Sequence, residues 1–159
     1  MIPEFKNLTQ QEINTIIDAP ILVTILIAGA EGKIDEREID WGAYVIHFRV
    51  SDYESSSMMR VYKETDTVFS DSLTSYLENL PKDTDERSRE LNARLAELNP
   101  ILRKVDPKFA REFYDSLKTL AKQVAKSSGG IWGYGSISPQ EQKYLDLDVI
   151  EQPEYDPES

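Results

Sequence analysis

The sequence predicts an all-α fold, and three observations carry that prediction. Apolar residues recur every three or four positions along most of the chain, the spacing of a buried helix stripe. Helix-opening signals recur as well: Thr9-Gln10-Gln11-Glu12, Asp35-Glu36-Arg37-Glu38, Asp106-Pro107 and Ser138-Pro139-Gln140-Glu141 pair a capping residue with glutamate or proline in the first turn. No stretch alternates apolar and polar residues over a useful length, as a half-buried strand would.

In chain order, Thr9-Gln10-Gln11-Glu12 is a capping box, and Ile13, Ile16 and Ile17 follow at helical spacing. The helix it opens is expected to stop near Asp18. Asp18 then caps a second helix that carries Pro20 in its first turn, where a missing N–H costs nothing. That helix, Ile21 to about Ala30, is apolar nearly all round and belongs at the centre of the fold. Asp35 caps the third helix, with Glu38 at the reciprocal box position. Ile39, Ala43, Ile46 and Val50 lie on one face of it, and Trp41, Tyr44, Val45 and Phe48 widen the stripe enough to predict cover on two sides. His47 falls within the stripe and reads as a core or interface residue.

Met58, Met59, Val61 and Tyr62 follow three serines and read as helix, and Phe69, Leu73, Tyr76, Leu77 and Leu80 continue the stripe up to Pro81. Beyond the polar turn at 82–85, Leu91, Leu95, Leu98, Leu102 and Val105 keep their phase across Pro100, which predicts a kinked helix or two collinear pieces. The helix opened by Asp106-Pro107 carries the most regular stripe: Phe109, Phe113, Leu117, Leu120 and Val124. A glycine-rich loop holding Trp132 and Tyr134 leads to a last helix with Tyr144, Leu145 and Leu147 facing inward. That loop joins helix to helix and lacks a phosphate-binding fingerprint, so its aromatics are expected to lid the core or to anchor a partner.

The 159 residues make one domain, placed at 1–150, with an acidic mobile tail at 151–159. Twenty-nine acids against 18 bases give a formal charge of −11, a field that repels phosphate backbones and anionic lipid. Nucleic acid is therefore not an expected partner, while cations and basic protein surfaces are. The chain has no cysteine, which removes disulfides, thiolate zinc sites and a cysteine nucleophile, and fits a reducing, cytoplasmic setting. The apolar run from Ile21 to Ala30 is shorter than the roughly 20 residues a membrane span needs. A homodimer is compatible with this composition.

The stretch from Gly29 to Glu38 returns in shorter form near the other end. Gly32-Lys33-Ile34-Asp35 and Gly135-Ser136-Ile137-Ser138 share the order glycine, any residue, isoleucine, capping residue, and each has glutamate three positions on. The structural reading is a left-handed helix C-cap glycine, an isoleucine plugging the turn, and caps by Asp35/Glu38 and Ser138/Glu141 worth about 1 kcal/mol each. A second reading is a hard cation such as Ca²⁺, Mg²⁺ or Mn²⁺, since Glu31, Gly32, Ile34, Asp35 and Glu38 match positions of a calcium-binding EF-hand loop. Ile27 and Gly29, at the first and third positions, offer no side-chain oxygen, so a weaker site built on Glu31, Asp35, Glu38 and Asp40, with carboxylates from the second turn, is the form it would take. A third reading is catalysis by paired carboxylates, for which no nucleophile–base pair is recognisable.

The two turns resemble those of the TerB-like family, the all-helical domains related to the tellurite-resistance protein TerB and to the N-terminal domain of DjlA-type co-chaperones. Ala28-Gly29-Ala30-Glu31-Gly32-Lys33-Ile34-Asp35-Glu36-Arg37-Glu38 carries the first copy, with Glu31 where the family usually has aspartate. Ala125-Lys126-Ser127-Ser128-Gly129-Gly130 through Glu141 looks like the second, lengthened by the glycine–aromatic loop. The resemblance implies a compact bundle of about seven helices in pseudo-twofold halves, found in bacterial stress-response settings. It also implies metal ligands at Glu31, Asp35, Glu38 and Glu141. Ser138 stands where the first copy has Asp35, and the second turn lacks an acid before its glycine, so a symmetrical two-site scheme does not carry over. The expected function is a non-catalytic acidic module that binds a protein with a basic surface or, weakly, a divalent cation. The alternative is a carboxylate-dependent metal hydrolase using the same turn.

Overall fold

The computed structural model describes residues 2–129 and 144–155. Among them the chain is all-helical: α1 (Gln10–Ala28), α2 (Glu36–Arg49), α3 (Ser56–Asn79), α4 (Thr84–Ala96), the five-residue α5 (Leu98–Leu102) and α6 (Pro107–Gly129). A 3₁₀ turn, Pro3–Phe5, precedes them. The second glycine–isoleucine turn, Glu141, Trp132 and Tyr134 lie outside the described residues.

α1 is the axis of the bundle and packs against each of the other five helices. Its capping box forms in both directions: Thr9 N–H donates to Glu12, and Glu12 N–H donates to the Thr9 hydroxyl. From Ile16 to Ala28 every residue except Asp18 is buried. This single helix of 19 residues replaces the two expected to meet at Asp18, so Pro20 lies inside it. Pro20 has no N–H for the carbonyl of Ile16, and the next carbonyl, that of Ile17, receives the buried Thr65 hydroxyl of α3 at 2.6 Å. A polar group from another helix thus supports the backbone where proline weakens the ladder. Asp18 caps nothing; it accepts the Tyr76 hydroxyl at 2.7 Å. By length and composition α1 could also cross a membrane, but two-thirds of that window is buried inside the protein.

α2 crosses α1 closely at Gly42, where an added Cβ would stand 2.4 Å from Thr24 Cγ2. Ser55 caps α3, which runs unbroken through the serine–methionine region to Asn79 and ends where Pro81 forces Leu80 into extended backbone. The stripe across Pro100 is two helices, α4 and α5, sharing Glu97 at their junction. Asp106 caps α6 by accepting the Phe109 N–H at 3.2 Å. After the undescribed stretch, Leu145, Leu147 and Ile150 return to the core. At the start of the acidic segment, Glu151 is bound by Arg103 through its carboxylate and by Asn99 through its N–H.

A buried arginine joins three helices on the inner side of α2. Arg49 donates to the Tyr62 hydroxyl at 3.0 Å, the Ser116 carbonyl at 2.7 Å and the Thr119 hydroxyl at 2.9 Å. These partners are neutral oxygens of α3 and α6, so the guanidinium acts as a hydrogen-bonding bracket. Burial beside it pushes the Tyr53 phenol up to about 12.

Candidate functional site

The turn between α1 and α2 is built from backbone bonds. Gly29 N–H donates to the Ile25 carbonyl, Gly32 N–H to that of Gly29, and Asp35 N–H to that of Ala28 at 3.0 Å. Gly32 is left-handed at φ +117°, but it lies in the turn and is not the expected helix C-cap: α1 is capped by Gly29 at φ −100°. Asp35 is the N-cap of α2, its Oδ1 accepting from the N–H groups of Arg37 and Glu38 at 2.9 and 3.3 Å. The expected reciprocal box is not made, because the Asp35 N–H that Glu38 would receive goes to Ala28.

A cation from elsewhere in the chain sits on this turn. Arg87 of α4, 6% exposed, donates from one guanidinium nitrogen to the carbonyls of Gly29 at 2.8 Å and Gly32 at 2.6 Å. Burial of the guanidinium lowers its pKa, and the nearby Asp83 carboxylate opposes that shift. The backbone oxygens a metal would use are therefore engaged by a fixed positive charge. A divalent ion about 4 Å away would meet a repulsion on the order of 8 kcal/mol at an effective dielectric of about 20.

The expected metal residues are not brought together here. Glu31 is exposed, Asp35 is used by the cap, Glu38 is buried at the start of α2, and Glu141 lies outside the described residues. Among the described residues no three histidine or carboxylate side chains gather closely enough to hold an ion. The weak hard-cation site and the carboxylate hydrolase, which need those same acids to converge, gain no support from this geometry.

The outer face of α2 presents something different. Its buried side carries Glu38, Ile39, Gly42, Val45, Ile46 and Arg49. At about 100° per residue, positions 41, 44 and 48 fall on the far side. Trp41 is 43%, Tyr44 53% and Phe48 58% exposed, and among the described residues these are the only exposed large hydrophobic side chains. They form a ladder: Trp41 stacks on Tyr44 with ring centroids 5.1 Å apart, and Tyr44 meets Phe48 at 5.8 Å. Beside them His47, its side chain 73% exposed, contacts Asp66 of α3 through Nδ1 at 2.8 Å. α2 packs against α1, α3 and α6, but the expected cover does not extend to Trp41, Tyr44 and Phe48, which is the correction to the sequence reading.

Sequence reasoning placed these aromatics in the core because it merged two stripes. The available signal was phase, since Ile39, Gly42 and Ile46 already complete an inward face without the aromatics. No family model, no characterised protein and no solved structure matches this chain.

Proposed function

We propose that the chain is a non-catalytic helical module that binds a partner protein through the outer face of α2. The stacked, exposed Trp41–Tyr44–Phe48 ladder carries this reading. Tryptophan and tyrosine are the side chains that dominate binding hot spots, and a contiguous apolar patch on an otherwise charged surface marks an interaction site. Exposed Asp40 and Asp52 lie along the same helix and its end, and the chain as a whole is at −11. The fitting partner is therefore an apolar surface rimmed by lysine or arginine. Cytoplasmic residence and an accessory, stress-type role belong to the same proposal. So does TerB-like architecture, with about seven helices in pseudo-twofold halves, suggested by the turn at 28–38 and its second copy in the sequence.

Calorimetry with two amphipathic helical peptides tests the reading. The peptides share one apolar face, flanked by lysines in one and by glutamates in the other. The lysine-flanked peptide is expected to bind, to weaken as salt is added, and to lose at least tenfold in affinity when Trp41→Ala and Phe48→Ala are combined. Equal binding of both peptides, no binding at millimolar peptide, or indifference to the double substitution would sink the proposal.

A further inference from the structure

We propose that the groove between the first half of α1 and the middle of α3 binds an amphipathic carboxylate, a linear acyl chain with one anionic end. Ile2 and Phe5 of the N-terminal segment form part of its wall, and a cavity of about 530 Å³ lies between the three segments. That volume falls within the roughly 300–1,000 Å³ of small-ligand sites. Two hydrogen bonds hold the walls together. The Ser57 hydroxyl of α3 donates to the Glu4 carboxylate, and the Thr65 hydroxyl donates to the Ile17 carbonyl of α1 at 2.6 Å.

Along α3 the lining changes character. Arg60 and Lys63 line the groove one turn apart, and Val68 lines it about 12 Å beyond Arg60 at 1.5 Å of rise per residue. α1 adds Ile13 and Ile17 to the apolar lining. Ile13 and Val68 are only half-buried, so apolar surface stays open in the groove. An apolar trough with two cations at one end is the counterpart of a carboxylate on an acyl chain of about ten carbons, which matches that length.

Local charge selects the anionic end. Arg60 and Lys63 outweigh Glu64, the one acid that lines the groove. Neighbouring carboxylates are engaged elsewhere: Glu4 accepts the Ser57 hydroxyl, and Glu12 accepts from Lys104. If the overall field of a chain at −11 decided, the groove would draw a cationic amphiphile and repel an anionic one. A preference for the anion over a cation of the same tail is therefore the signature of these two side chains. None of the lining residues belongs to α2, so the site is separate from the aromatic ladder and does not depend on it.

Decanoate tests the proposal, titrated into the full chain at neutral pH and followed by methyl NMR. The methyl signals of Ile13, Ile17 and Val68 are expected to shift saturably. Decyltrimethylammonium, with the same tail and the opposite charge, is expected to bind about tenfold more weakly. Combining Arg60→Gln with Lys63→Gln is expected to weaken decanoate about tenfold, the loss of a charge-assisted contact, and to leave decanol unchanged. Val68→Trp fills the trough and is expected to abolish binding. If circular dichroism shows that variant unfolded, the glutamine pair, which alters only exposed side chains, carries the test. No shift at millimolar decanoate, equal binding of the two charged amphiphiles, indifference to the glutamine pair, or an equal loss for decanol overturns the proposal. So do saturable shifts at Trp41 and Phe48 in place of the groove methyls.

Discussion

Replacing Arg87 with alanine removes the guanidinium that holds the carbonyls of Gly29 and Gly32 at 2.8 and 2.6 Å. Hydrogen bonds to a charged group contribute about 1.5–3 kcal/mol net, and a buried carbonyl left without its donor costs about 1–3 kcal/mol. Against this, the variant no longer has to bury a guanidinium, a cost visible in the lowered pKa of Arg87. The balance is a loss of about 2–4 kcal/mol, or on the order of 10 °C in Tm for a chain of this size. Urea unfolding followed by far-UV circular dichroism measures it. Arg87→Lys keeps the charge but not the planar fork, and is expected to fall between the two. A loss below about 0.5 kcal/mol for alanine, or identical losses for alanine and lysine, would refute the view that this guanidinium organises the turn.

Two further outcomes follow from the packing of α1. Gly42→Ala places a Cβ 2.4 Å from Thr24 Cγ2. Its expected loss of about 1–3 kcal/mol outweighs the gain of about 1 kcal/mol in helix propensity. Thr24→Ala in the same chain should recover most of it, and a neutral Gly42→Ala measured by urea unfolding would contradict the close crossing. For Asp18, burial raises the carboxyl above its ordinary 3.8, with the Tyr76 hydroxyl and Arg94 opposing the shift. The folded state then holds that proton more tightly than the unfolded state, so the charged form weakens folding above the raised pKa, and the penalty fades as pH falls toward 3.8. Asp18→Asn should therefore gain stability relative to the unaltered chain as pH rises from 3.8 to neutrality, and a pH-independent difference would contradict the assignment.

What was legible in the sequence was local. The Thr9–Glu12 box and the Asp35 and Asp106 caps each depend on residues a few positions apart, and each forms. Pro20 misled because a proline in a first turn and a proline inside a helix look alike. What decides between them is Thr65, 48 positions away from the carbonyl it supports. Arg87 was invisible as a turn ligand for the same reason, being 55 and 58 positions from the carbonyls it binds. The aromatics of α2 failed differently: their residue type argued for burial, while their helical phase, legible all along, argued for the open side.

Binding through the outer face of α2 is tested most directly by residue-resolved NMR during titration with the lysine-flanked peptide. The predicted result is movement of the Trp41 indole and of the Tyr44, His47 and Phe48 ring signals, with those of the turn at 29–35 unmoved. Saturable binding that leaves Trp41, Tyr44 and Phe48 unshifted, or that moves the turn instead, would contradict it.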